Sequence, residues 1–166
     1  MMRNFFELVY EYQLLKGKQD HLDVPLDETE RARLVGLAQM LMGDSGPESG
    51  RRAMPRVPAP SRVEFTQPGG FEGGEIKNAS GSGLAVATRR PPVVGTRVVV
   101  RVEDVRHALE YFFPCRVVWR RLGASAGMGV AFDGIPTRSS HFETEDTGVW
   151  RRSIRLGDGP PDVQAA

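Results

Sequence analysis

The apolar positions near the N-terminus recur with the spacing of an α-helix. In MRNFFELVYEYQLLKGK they fall at i, i+3, i+4, i+7 and i+10, which places five side chains on one helical face: Phe5, Leu8, Val9, Tyr12 and Leu15. Gly17 is a residue suited to end such a helix. The pattern therefore predicts a short amphipathic helix.

A second helix is predicted in PLDETERARLVGLAQMLMGD. Asp27 can cap its N-terminus while Glu30, three residues on, completes a capping box, and Gly43 suits the position after the helix. The apolar stripe consists of Leu34, Leu37, Ala38 and Leu41. Two such helices predict a hairpin over residues 1–43 with little core of its own. Its stripes must bury against the rest of the chain, another subunit or a protein partner.

After the hairpin comes a segment with the composition of a linker, and a pattern of short strands follows it. Residues 44–61 are rich in glycine, serine, proline and arginine, which indicates a flexible, extended linker. Six runs of apolar, β-branched and aromatic residues follow between turn residues: RVEFT, GGEIKNAS, GLAVAT, TRVVVRV, ALEYFFPCRVVWRR and GMGVAF. Six strands over residues 62–135 predict a mainly β domain, a small antiparallel barrel or sandwich. Pro114 predicts a bend or hairpin in the fifth run, because proline donates no hydrogen bond to a sheet.

The C-terminal part has a weaker pattern. Residues 136–156 predict an irregular segment or a short helix at roughly 137–146, with Trp150 and Ile154 as candidates for packing on the barrel. Residues 157–166 have the composition of a disordered tail.

Charge is distributed unevenly between these parts. Residues 1–50 carry five Lys/Arg and nine Asp/Glu, whereas residues 51–166 carry 17 and 12. An acidic helical part is repelled by anionic lipid, which disfavours a membrane-surface role. No segment has the roughly 18 consecutive apolar residues of a membrane span, and the N-terminus lacks a signal-peptide pattern. With a single cysteine that forms no intrachain disulfide, these features lead us to expect a cytoplasmic protein.

The residue types that usually carry catalysis do not form a recognisable set. His21, His107 and His141 are scattered without a second ligand at metal-binding spacing, so no metal site is expected. Cys115 lies in an alternating pattern that predicts a buried strand residue rather than a nucleophile. The glycine-rich run GFEGGEIKNASGSG opens no helix, so it is neither a P-loop nor a dinucleotide fingerprint. The sequence predicts a binding protein without a cofactor rather than an enzyme.

One constellation of polar residues suits an anionic purine ligand. It consists of Arg51, Arg52 and Arg56 before the first strand, and Asn78, Ser80 and Gly83 in NASGSG between the second and third strands. Guanidinium groups bind phosphate oxygens or the Hoogsteen edge of guanine. An amide and a hydroxyl can contact a base edge, and a glycine lets a ring or a phosphate approach the backbone.

These residues resemble the signatures of the PilZ domain family. RRAMPR matches its RxxxR motif with Arg52 and Arg56, and NASGSG matches [D/N]xSxxG at the three positions just named. CRVVWRR followed by GMGVAF is similar to the later strands of the family. The resemblance covers about residues 50–135. It implies a six-stranded antiparallel β-barrel that binds the second messenger cyclic di-GMP without chemistry of its own.

The resemblance also implies a role for each residue. These roles are a clamp made by Arg52 and Arg56, base contacts from Asn78 and Ser80, a turn at Gly83, and help from Arg51 in binding a stacked ligand dimer. Ordering of the arginine-bearing linker by the ligand would then change the orientation of the hairpin or its binding to a protein partner.

Two other functions stay open on the sequence. A barrel of this family that has lost its ligand would act only as a protein-interaction module. A binder of single-stranded nucleic acid would need exposed aromatic side chains for base stacking. The strand aromatics are instead predicted to lie mostly in the core, namely Phe65, Phe112, Phe113, Trp119 and Phe132.

Overall fold

The computed structural model describes residues 5–42 and 57–140. In chain order its elements are α1 (Phe5–His21), α2 (Glu28–Met42), β1 (Val57–Gln67), β2 (Gly70–Ala79), β3 (Gly83–Ala87), β4 (Arg97–Asp104), a 3₁₀ turn (Val105–His107), β5 (Leu109–Arg121), β6 (Gly127–Phe132) and β7 (Thr137–Ser140). The last five residues of the predicted linker 44–61 thus belong to β1. The rest of that linker and the predicted segments beyond residue 140 lie outside the described residues. Neither described helix is long and apolar enough to cross a membrane.

Six of the strands form a closed antiparallel barrel, which confirms the predicted fold class. They follow the order β1-β2-β3-β6-β5-β4, and β4 pairs back with β1 to close the sheet. Closure gives each of these six strands a partner on both sides. Alternate side chains point inward and form the core, among them Phe65, Ile76, Val100, Phe113 and Met128.

Strand β5 pairs with three other strands. One edge pairs with β4, while the other pairs with β7 over its first four residues and with β6 from Cys115 onward. Pro114 lies where the partner changes, and its carbonyl accepts a hydrogen bond from the Asp133 N–H at 2.8 Å. The predicted hairpin at Pro114 is therefore wrong, since β5 runs as one strand from Leu109 to Arg121. The strand continues because the missing N–H falls in the gap between two partner strands.

Residues 137–140 form strand β7, so the short helix predicted to start there is wrong for these residues. Tyr111 of β5 pairs with Arg138, and Leu109 pairs with Ser140. Strand β6 does not reach along the first half of β5. The backbone N–H and C=O groups there therefore need other partners. The chain that follows β6 supplies them by returning alongside β5.

The capping box predicted for α2 is confirmed. The Glu30 N–H donates to Asp27 Oδ1 at 2.7 Å, and the Asp27 N–H donates to Glu30 Oε2 at 3.0 Å. Lys18 of α1 also donates to Glu30 Oε1. The Lys18 ammonium first, and then the Asp27 N–H, lower the pKa of Glu30. The start of α2 is thus joined to the last turns of α1.

Helix α1 packs on the barrel and joins its core. Its buried face consists of Phe6, Val9, Gln13 and Gly17, which is rotated from the predicted stripe. Gly17 does not end the helix, because α1 continues to His21. A Cβ at Gly17 would lie only 3.1 Å from Ile135 Cγ1, which is tighter than an ordinary contact, so glycine favours this close approach. Helix α1 therefore buries one face within the chain, against the barrel.

Polar contacts at its first turns also anchor α1 to the barrel. The Tyr111 hydroxyl donates to Glu7 Oε2 at 2.7 Å, and Arg138 forms an ion pair with Glu7. Burial first, and then the hydrogen bond to Glu7, raise the pKa of Tyr111. The same carboxylate raises the pKa of Arg138. Both donors therefore keep their protons, and α1 stays tied to β5 and β7.

Candidate functional site

The turn between β2 and β3 is held by its own hydrogen bonds. The Ser80 N–H donates to the Gly83 carbonyl at 2.9 Å. The Ser82 N–H donates to Ser80 Oγ at 3.2 Å, and the two serine hydroxyl oxygens lie 3.1 Å apart. Ser80 is buried, so in this state its hydroxyl serves to shape the turn.

Asn78 and Gly83 flank this turn on paired strands. Asn78 is half-buried and pairs with Ala85 on the outer face of the barrel. A Cβ at Gly83 would overlap the carbonyl oxygen of Val130 in β6. Gly83 is thus required by the close approach of β3 to β6, which is a different reason from the turn or ligand contact inferred from sequence. The fold does bring the three predicted motif positions together.

The start of β1 lies beside the same turn. Val57 pairs with Ala79, and Pro58 pairs with Asn78. The predicted clamp residues that precede β1 lie outside the described residues: Arg51, Arg52 and Arg56. The strand register nevertheless places the point where their segment joins the barrel next to NASGSG.

The outer face of β3 and β6 is a floor of small residues. Three cross-strand pairs at alternate positions contain only glycine and alanine: Gly83 with Ala131, Ala85 with Gly129, and Ala87 with Gly127. The residues between them point into the core, including Leu84, Val86, Met128 and Val130. No side chain longer than a methyl group rises from these positions, and the indole ring of Trp119 lies over one of them, Gly129. We call these six residues the glycine–alanine floor.

Strand β5 lies next to the glycine–alanine floor on the side away from Asn78. It carries Arg116, which pairs with Ala131, and Trp119. Trp119 pairs with Gly129, and a Cβ on that glycine would overlap the indole ring. The Arg121 guanidinium lies 6.0 Å from the centre of the same ring. Asn78 and Trp119 are separated by three inter-strand steps, about 14 Å along the sheet at roughly 4.8 Å per step. Asn78 and Trp119 thus lie at opposite ends of one cross-strand row, Asn78–Ala85–Gly129–Trp119, with the indole ring over Gly129.

Sequence reasoning missed Trp119 as a surface residue. Strict alternation from Cys115 and Val117, which are both buried, places position 119 inside the barrel. An irregularity in the pairing of β5 with β6 after Val117 turns the next paired side chain outward, and Trp119 is 36% exposed. The other predicted core aromatics are buried (Phe65, Phe113) or partly buried (Phe112, Phe132). The signal in the sequence was the pair of glycines at alternate positions of GMGVAF, because a strand face without side chains leaves room for an aromatic ring.

The family model of the PilZ domain matches residues 50–144, which is more than half of the chain. The chain belongs to the PilZ domain family. At a coarse level, this is a family of cyclic di-GMP receptors. Its domains are binding and adaptor modules rather than enzymes. The match includes the arginine-bearing run and all strands of the barrel, whereas helices α1 and α2 lie outside it.

Among solved structures, the chain is similar to the PilZ domain of CeSA from a cellulose-synthesising bacterium. The two share 24% sequence identity with a TM-score of 0.39, and the alignment covers 48% of this chain and 81% of that chain. No curated protein matches the chain.

A groove elsewhere on the PilZ barrel is less suited to an anionic ligand. It encloses about 830 Å³, and its charged lining residues are Arg62, Glu64, Glu72, Glu75, Arg89, Arg101 and Glu103. Arg101 is buried and already forms ion pairs with Glu64, Glu103 and Glu110. Because carboxylates outnumber the remaining cations, the groove repels phosphate. The face that carries NASGSG is the better site.

The residues weighed for catalysis do not converge in the described part of the chain. Cys115 is buried, as predicted, and burial raises the pKa of its thiol, which disfavours the reactive thiolate. His107 is exposed and its ring nitrogen contacts Asp104 at 2.7 Å. Within residues 5–42 and 57–140, no group of three or more His, Cys, Asp or Glu side chains is placed to hold a metal ion.

Proposed function

We propose that this protein is a cyclic di-GMP receptor that binds its ligand on the outer face of the barrel, between NASGSG and Trp119. The observation that carries the proposal is the arrangement of Asn78, Ser80 and Gly83 beside the start of β1, at one edge of the glycine–alanine floor. Motif residues, the attachment point of the arginine segment and the glycine–alanine floor with Trp119 over it all lie on one side of the barrel.

The arginines supply the positive charge in the proposed complex. Arg56 is bonded to Val57, whose cross-strand partner Ala79 directly precedes Ser80. A guanidinium at position 56 is therefore within reach of a ligand that contacts the turn. Arg52 lies four residues earlier and completes the clamp, and Arg51 adds a third cation when two ligands stack. Each hydrogen bond from such a charged group contributes about 1.5–3 kcal/mol.

The strands supply the contacts to the bases. The Asn78 amide can pair with a guanine edge. The Ser80 hydroxyl, which accepts from the Ser82 N–H and lies 3.1 Å from the Ser82 hydroxyl, can turn its proton to the ligand. Trp119 offers a ring for stacking, for which base–aromatic contacts contribute about 1–3 kcal/mol each. Arg116 and Arg121 are exposed on the same side and favour an anion there.

The proposed output is a change in how the hairpin is held, through ordering of residues 44–56. In the described structure, Phe6 and Val9 of α1 are buried in the barrel core. A hairpin that swung away would expose both side chains at a cost of roughly 1.5–3 kcal/mol each. We therefore favour a change in the tightness of the hairpin, or in the partner that binds it, over a large rotation.

Calorimetric titration of the purified protein with cyclic di-GMP tests the proposal. The wild type should bind with micromolar or better affinity, and Arg52→Ala or Arg56→Ala should each weaken binding by about 2–4 kcal/mol. Arg106→Ala is the matched control, because Arg106 is an exposed arginine of the 3₁₀ turn. No heat and no thermal shift at about 100 µM ligand would refute the proposal and leave a protein-interaction module. Comparable affinity for single-stranded RNA would favour a nucleic-acid binder instead.

A further inference from the structure

The NASGSG turn is held by a residue outside the matched PilZ domain. Gln13 of α1 is 6% exposed, and its Nε2 donates to the carbonyl oxygen of Gly81 at 2.6 Å. Gln13 is the polar member of the buried face of α1. Since a buried amide needs a hydrogen-bond partner, this helix is built to meet the turn at that carbonyl.

The contact with Gln13 controls more than one atom of the turn. The Gly81 carbonyl and the Ser82 N–H belong to the same planar trans peptide group, so they point in opposite directions. Gln13 holds the carbonyl on one side, and on the other side the N–H donates to Ser80 Oγ at 3.2 Å. Gly81 lacks a Cβ, so loss of Gln13 removes one of the two hydrogen bonds that hold this peptide group against rotation. Rotation would withdraw the N–H from the Ser80 hydroxyl.

We propose that Gln13 is a positioning residue for the ligand site, and that it couples ligand affinity to the docking of α1. The inference rests on the proposed function, since it names a regulator of that same site. By orienting the Gly81–Ser82 peptide, Gln13 keeps the Ser80 oxygen in place as the acceptor of the Ser82 N–H, so that the Ser80 proton can turn from the Ser82 hydroxyl to the ligand. Such coupling is reciprocal, so ligand binding must also tighten α1 on the barrel.

A double-mutant cycle with cyclic di-GMP as the probe tests this role. Gln13→Met keeps the side-chain length but removes the donor, and should weaken binding about three- to tenfold. Gln19→Met, on the exposed side of the same helix, is the matched control and should bind like the wild type. In a Ser80→Ala background Gln13→Met should cause no further loss, because Gln13 acts through Ser80. Equal affinity of wild type and Gln13→Met, measured well below both unfolding midpoints, would overturn the inference.

A measurement on the wild-type protein keeps the test independent of whether the variants fold. Titration with cyclic di-GMP should shift the side-chain amide resonance of Gln13 and slow hydrogen exchange in α1, while the Gln19 side-chain resonance stays in place. If the wild type binds and neither change occurs, the coupling is wrong and the receptor function stands. If the wild type does not bind, the receptor function fails and the coupling falls with it.

Discussion

Replacement of Trp119 by alanine separates the contribution of the sheet surface from that of the arginines. The indole ring lies over Gly129 and is 36% exposed, so one face is available to a ligand base. Loss of base–aromatic stacking costs about 1–3 kcal/mol, which corresponds to a 5- to 150-fold weaker affinity. The destabilisation should stay below the roughly 3–5 kcal/mol of a Trp→Ala change in a core, because the ring is partly exposed.

Calorimetry at a temperature well below the unfolding midpoint gives the affinity, and urea denaturation gives the stability. Trp119→Phe should recover most of the affinity, since it retains a flat ring. Leu122→Ala removes a neighbouring side chain that is 62% exposed and should leave affinity unchanged. Fluorescence adds a direct readout, because the chain has only two tryptophans. Quenching by cyclic di-GMP should persist in Trp150→Phe and disappear in Trp119→Phe.

Wild-type affinity in Trp119→Ala would contradict this reasoning, even if the arginine variants lose binding. The ligand would then be held by the arginine segment and NASGSG alone, without crossing the glycine–alanine floor. Quenching that survives in Trp119→Phe would lead to the same conclusion.

Other contacts make separate predictions about stability and reactivity. Gly83→Ala should destabilise the barrel by about 1–3 kcal/mol in urea denaturation, because its methyl group overlaps the Val130 carbonyl; an unchanged midpoint would show that β3 and β6 lie farther apart. Asp27→Ala should cost about 1 kcal/mol through loss of the α2 cap, and Asp27→Ser should restore most of it. The Cys115 thiol should react with a thiol reagent at a rate set by unfolding, and rapid labelling of the native protein would contradict its burial. Arg101→Met should destabilise the protein by about 3–5 kcal/mol, since it leaves buried Glu110 without its cation, and adding Glu110→Gln should recover part of that loss.

The sequence could predict the elements because their signals are local. The alternation of apolar residues located all six barrel strands, and the spacing of Asp27 and Glu30 located the start of α2. The motif positions Asn78, Ser80 and Gly83 came together because they flank a single tight turn. Each of these inferences depends on residues a few positions apart.

The features that were missed depend on residues far apart in the chain. Trp119 faces outward because the pairing of β5 with β6 is irregular, which the alternation within β5 alone cannot reveal. Gly17 lies inside the helix, and its lack of a side chain makes room for Ile135, more than a hundred residues later. The contact of Gln13 with Gly81 spans 68 residues, and no periodic pattern indicates it. Sequence periodicity reports which face is buried, but not what it is buried against.

The contact between Glu7 and Arg138 also affects when helix α1 can dock on the barrel during synthesis of the chain. These residues are 131 positions apart, so at about 5–20 residues per second the ribosome needs roughly 7–26 s after making one to make the other. Throughout that interval Phe6 and Val9 have no barrel to enter. The pairing of α1 with α2 involves only residues 5–42, so it can form much sooner. Docking of α1 on the barrel must therefore wait for strands that are synthesised later, whereas its contact with α2 need not.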